Sequence, residues 1–149
     1  AKEEKFALML TLEKYVINID NLKRSIINES TELETMAITY ITVWSEAIKS
    51  DYKDFNDELT KQFKKFSNEN EKRKEGKIKI DELMKNLQNP PEKYSELYKL
   101  ILEFYSIYSE LYEMTLNPTG SFSSYSTKKR DVTDRLINTF NKIKVITPQ

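Results

Sequence analysis

A chain of 149 residues is the length of one domain and can bury a core of its own. Its charge is balanced, 24 basic against 24 acidic residues, so no basic excess favours nucleic acid or an anionic membrane. It has neither histidine nor cysteine. That excludes His-based triads, Glu-x-x-His di-iron signatures, His-x-Glu deaminase sites, disulfides and thiolate chemistry.

At 38% hydrophobic and 32% charged residues the chain is charge-rich, yet too apolar for a disordered one. Two glycines and four prolines leave little material for turns. Leu, Lys, Glu and Met are plentiful, and the hairpin dipeptides Asn-Gly and Asp-Gly are absent. An all-α fold follows: one helical-bundle domain over 1–149, of about four antiparallel helices. No window of about 18 apolar residues exists, so no transmembrane segment is expected. The first residue is Ala1 and not Met, as expected of a processed or truncated chain. A removed signal peptide is one such origin. It inclines the expectation toward an extracytoplasmic location, signal-processed or lipid-anchored, over a cytoplasmic one.

The first helix is predicted over about 3–49, a stretch without Gly or Pro. Met9, Leu12, Val16, Ile19, Leu22, Ile26, Leu33, Met36, Tyr40, Val43 and Ala47 advance in steps of three and four, apart from one heptad-wide gap at Glu29 and Ser30. Such a helix is roughly 70 Å long. Thr31-Glu32-Leu33-Glu34 reads as an internal capping box, which would start a new helix or mark a kink. The apolar phase survives the gap, so one continuous helix is the preferred reading. Asn28-Glu29-Ser30 matches a glycosylation sequon by chance.

The pattern breaks near Ser50-Asp51, with Asp51 and Asp54 as N-cap candidates. The second helix, about 53–88, carries Phe55, Leu59, Phe63 and Phe66, then Ile80, Leu83, Met84 and Leu87. Between them Ser67–Lys77 has no apolar residue, and Asn68, Asn70 and Gly76 lower helix propensity. A frayed middle is expected there. Asn89-Pro90-Pro91 is the firmest boundary. The third helix, about 91–116, has a seam of Leu97, Leu100, Phe104, Ile107, Leu111 and Met114 beside a stripe of tyrosines, so it should touch at least two partners. Asn117–Ser121 is a turn, with Gly120 available for a left-handed position. The fourth helix, about 122–144, uses Phe122, Tyr125, Val132, Leu136, Phe140 and Ile143.

Short connections make neighbours antiparallel. The last two helices are each about half as long as the first, so they are expected to complete a four-helix bundle with its beginning and with the end of helix two. Thr31 to Phe66 would then extend as a two-helix arm, and the Asn117–Ser121 turn would lie against the middle of helix one. Two helices alone cannot bury Tyr40, Trp44, Phe55, Phe63 and Phe66, so these five form the expected interaction surface. The function expected from it is that of a non-enzymatic helical interaction module, binding a protein partner or itself. The alternative is a small-ligand or lipid-binding bundle with a groove lined by Tyr94, Tyr98, Tyr105, Tyr108 and Tyr112.

The remaining polar clusters read more simply. Asp51, Asp54, Asp57 and Glu58 suit a solvated helix start better than a cation site, since no Asp-x-Asp-x-Asp-Gly loop accompanies them. Lys72-Arg73-Lys74 is neutralised by Glu69, Glu71 and Glu75, and neither it nor Lys128-Lys129-Arg130 comes with a Gly-rich phosphate loop. No catalytic residue, cofactor or metal ligand is expected.

Three segments, Thr35–Ile48, Asp81–Glu92 and Asn117–Ser126, together resemble a group of uncharacterised all-helical proteins of low-GC Gram-positive bacteria and their prophages. The resemblance spans most of the chain past Thr35 and carries no catalytic motif. It implies a bacterial or phage-encoded helical protein, and it adds weight to Trp44 and to the Asn-Pro-Thr-Gly-Ser turn.

Overall fold

The structure, a computed structural model, describes residues 1–51 and 53–148. Helix α1 runs unbroken over Lys2–Lys49, α2 over Phe55–Lys65, α3 over Ser67–Lys85, α4 over Ser95–Leu116 and α5 over Phe122–Ile146, with one 3-10 turn at Glu92–Tyr94 before α4. The all-α bundle with a very long first helix is therefore what the chain forms. No strand occurs among the described residues.

Continuity of α1 across Glu29-Ser30 holds. Thr31 caps nothing there: its hydroxyl donates to the Ile27 carbonyl at 2.8 Å, and Thr35 and Thr39 bond back one turn in the same way. Asp54 does cap α2, accepting from the Asp57 N–H at 3.0 Å. Ser121 and Ser124 form a reciprocal capping box at the start of α5, and Gly120 takes φ +92 ahead of it.

The second predicted helix differs from expectation. The polar run Ser67–Lys77 is helical throughout, and the break falls at Phe66, whose φ −86 and ψ 12 end α2 and begin α3. The Phe66 ring meets Tyr40 edge-on at 5.4 Å, which fixes the kink against α1. The polar run stays helical because it is not wholly solvated. Arg73 and Asn70 point inward and are buried. Arg73 Nε lies 3.1 Å from Glu29 Oε2, and its Nη1 lies 3.5 Å from Glu32. The polar gap in α1 thus faces the polar gap in α3. Gly76 leaves room for the Glu29 carboxylate, which a Cβ would overlap. Burial raises the Glu29 pKa, and Arg73 opposes that rise.

The bundle packs along α1 from Tyr15 to Ala47. Tyr15 marks one end, stacked on Tyr94 at 5.8 Å and donating its hydroxyl to the Leu87 carbonyl at 2.9 Å. Trp44 marks the other, between Phe55 at 4.9 Å and Tyr125 at 5.1 Å. Between these ends α5 is tied to α4 by Arg135, which holds Glu110 through two bonds of 2.8 and 3.0 Å, and to α1 by Lys129, which pairs with Glu34 at 3.8 Å. The core is one contiguous cluster.

The two-helix arm over Thr31–Phe66 does not form. Helices α4 and α5 cover that part of α1, and the Asn117–Ser121 turn lies toward Trp44 and not at the middle of α1. The reason is length. Helix α1 has 48 residues, while α2 and α3 have 11 and 19, so the returning leg stops at Tyr15. The surplus of α1 emerges at its beginning instead. Among the described residues no helix is long and apolar enough to cross a membrane.

Candidate interaction surface

The expected surface around Trp44 is mostly interior. Tyr40 is fully buried and Trp44 is 1% exposed, while Phe55 and Phe66 are half-buried against them. Only Phe63 stands out, at 41% exposure. The correction has one physical cause: α5 supplies the third wall that two helices lack, with Tyr125 laid on Trp44 and its hydroxyl donated to the Met114 carbonyl at 3.0 Å.

The tyrosine stripe does not line an open groove either. Tyr94 and Tyr108 are buried, and Tyr98, Tyr105 and Tyr112 are half-buried. Helix α3 lies over the stripe. Tyr105 donates to Asp81 at 2.5 Å, Asp81 pairs with Lys77 at 2.7 Å, and the Lys77 ammonium sits 5.2 Å from the Tyr105 ring and 5.7 Å from the Tyr112 ring. Hydrogen bonds from Lys77 to Asp81 and Tyr105 outweigh its burial and raise its pKa. Tyr105 and Tyr112 thus form an interhelical clasp between α3 and α4.

The basic runs are partly paired, with Lys128 and Arg130 left exposed. Arg73 turns inward, Lys72 and Lys74 pair within α3 with Glu69 at 3.8 Å and Glu71 at 3.2 Å, and Lys129 reaches Glu34. Among the described residues no group of three acidic side chains is placed to hold a metal ion.

What the structure leaves uncovered is the segment Lys2–Lys14 of α1. Every residue from Ala1 to Lys14 is exposed except the half-buried Leu12. At about 1.5 Å per residue it projects roughly 20 Å beyond Tyr15. It is not a polar segment. Phe6, Leu8, Met9, Leu10 and Ile17 keep between 49% and 59% of their surface exposed. At about 100° per residue, Leu8 and Leu12 continue the face that buries Tyr15 and Ile19, whereas Phe6, Leu10 and Ile17 lie on the opposite side. A helix apolar on opposite sides belongs inside something larger.

Where the segment meets the bundle, Met9, Leu12, Val16, Ile17, Tyr94 and Pro148 line a mostly apolar cleft of about 420 Å³. Ile38, Ile78, Leu102 and Ile137 stand singly on separate helices, which is normal for a protein surface, while Val145 and Ile146 are exposed side by side at the end of α5.

Sequence reasoning used Met9 and Leu12 as seam residues and passed over Phe6, Leu8 and Leu10. The signal was present in Phe6-Ala7-Leu8-Met9-Leu10-Thr11-Leu12. Six apolar residues within seven cannot share one face of a helix. Set beside family models, curated proteins and solved structures, the chain matches none of them.

Proposed function

We propose that this protein is a non-enzymatic helical interaction module that binds a protein partner or itself through the projecting segment of α1. The observation that carries this reading is the pair of opposed apolar faces on Lys2–Lys14, of which only Leu12 packs against the core. The bundle serves as a rigid base. Core residues from Tyr15 onward hold the rest of α1, so the segment extends from a helix already formed and needs no nucleus of its own when a partner covers it. The cleft at its foot extends the apolar surface onto Tyr94 and Pro148.

A photo-reactive residue placed at Met9, compared with one at the equally exposed Ile137, tests the reading in cells. A protein adduct at Met9, with none at Ile137, is expected. Absence of any adduct at Met9 refutes it.

A further inference from the structure

We infer that the projecting segment of α1 pairs antiparallel with the same segment of a second copy, about a two-fold axis at Met9. This rests on the reading of the segment as the binding surface, and it names the occupant. Charge complementarity selects it. The exposed charges of the segment are Lys2, Glu3, Glu4 and Lys5 on one side of the apolar run, and Glu13 and Lys14 on the other. Lys5 and Glu13 stand four residues before and four residues after Met9, so all three share one face of the helix.

In an antiparallel pair centred on Met9, Lys5 of each copy faces Glu13 of the other, so the attraction is made twice. Phe6 and Leu12, on the two flanks of Met9, come level with one another across the pair and are part-covered with it, while Leu8 and Leu10 stay at its sides. A parallel pair sets every charge against its own copy. The charges on the Met9 face therefore support the antiparallel orientation and oppose the parallel one, as flanking charges do in paired helices. The arrangement is isologous and closes at two copies. The balanced charge of the segment gives it no pull toward an anionic lipid surface.

Sedimentation velocity of the full chain over a concentration series tests the pairing, with substitutions only at exposed positions. The wild type is expected to pass reversibly from monomer to dimer. Lys5→Glu and Glu13→Lys are each expected to weaken that association by roughly tenfold, and the double variant to restore it. Because the chain has no cysteine, a single Met9→Cys should form an interchain disulfide under copper-phenanthroline oxidation, while Lys5→Cys should not.

A wild type that stays monomeric overturns the inference, as do single charge reversals without effect or a Lys5→Cys that crosslinks better than Met9→Cys. A monomer that instead co-sediments with phosphatidylcholine–phosphatidylglycerol vesicles, and loses this on Met9→Asp, also overturns it. The two proposals separate cleanly. A monomer that still photo-crosslinks from Met9 to another protein removes the second copy but keeps the interaction module.

Discussion

Replacing Gly76 with alanine is expected to destabilise this protein, against the usual direction for a glycine inside a helix. In an unobstructed helix the change gains about 1 kcal/mol through propensity and a less flexible unfolded chain. Here a Cβ at position 76 would lie 2.6 Å from Glu29 Oε2, and nearer still to the rest of the carboxyl group. The carboxylate cannot swing aside without leaving Arg73 Nε, 3.1 Å away on a side chain only 9% exposed. Separating a buried pair costs about 3–5 kcal/mol, and the lower end applies because Arg73 retains Glu32. The net loss is then about 2 kcal/mol. Urea unfolding followed by far-ultraviolet circular dichroism measures it. The sign should reverse in a Glu29→Ala background, where the same substitution gains about 1 kcal/mol. A Gly76→Ala variant that is neutral or stabilising with Glu29 in place refutes the packing of α1 against α3.

Trp44→Ala is expected to lose about 3–5 kcal/mol of stability without changing the association state, because Trp44 is core and not surface. Urea unfolding and sedimentation on the same sample check both halves. Burial pushes the pKa of Tyr15 and Tyr40 up to about 12 and raises those of Tyr108 and Tyr125 as well. Each of these groups is held neutral by the fold. Stability should therefore be complete below the unfolded tyrosine value of about 10 and drain away as the pH rises through the folded values, which urea midpoints on either side of about pH 10 will show. Glu29 follows the same sign at acid pH. Its raised pKa gives stability that is full below its ordinary value of 4.5 and falls as the pH climbs through the folded value. Glu29→Gln removes that slope, so a difference between wild type and variant that stays flat between about pH 4 and pH 7 contradicts it.

Much of the architecture was legible in the order of residues. The apolar phase of Met9 to Ala47 carried one long helix, Asn89-Pro90-Pro91 ended its returning leg, and Asn117–Ser121 made the last turn. Two features escaped because each depends on a partner distant in sequence. Glu29-Ser30 and Ser67–Lys77 read separately as a gap and a frayed stretch; together they are the two sides of a buried ion pair. Phe66 gave no break signal of its own, since its kink is set by contact with Tyr40. The misplaced surface was different in kind. A helix of about 49 residues followed by a leg of about 36 leaves its surplus at the end away from the connecting turn, which points to Phe6–Leu12 and not to Trp44. The tyrosines of α4 were recognisable as an unusual stripe, but their clasp needed Lys77 and Asp81 on α3 to be seen.

Amide hydrogen exchange across α1, measured as a function of protein concentration, tests the central claim most directly. A helix end with so few core contacts opens at little cost, so the amides of Lys2–Lys14 should exchange quickly when the protein is dilute. They should gain protection as concentration rises and the segment is covered, while those of Ile19–Trp44 stay slow throughout. Protection over Lys2–Lys14 that is already high at the lowest concentration, or that never changes with concentration, would contradict an uncovered segment that pairs with its own copy.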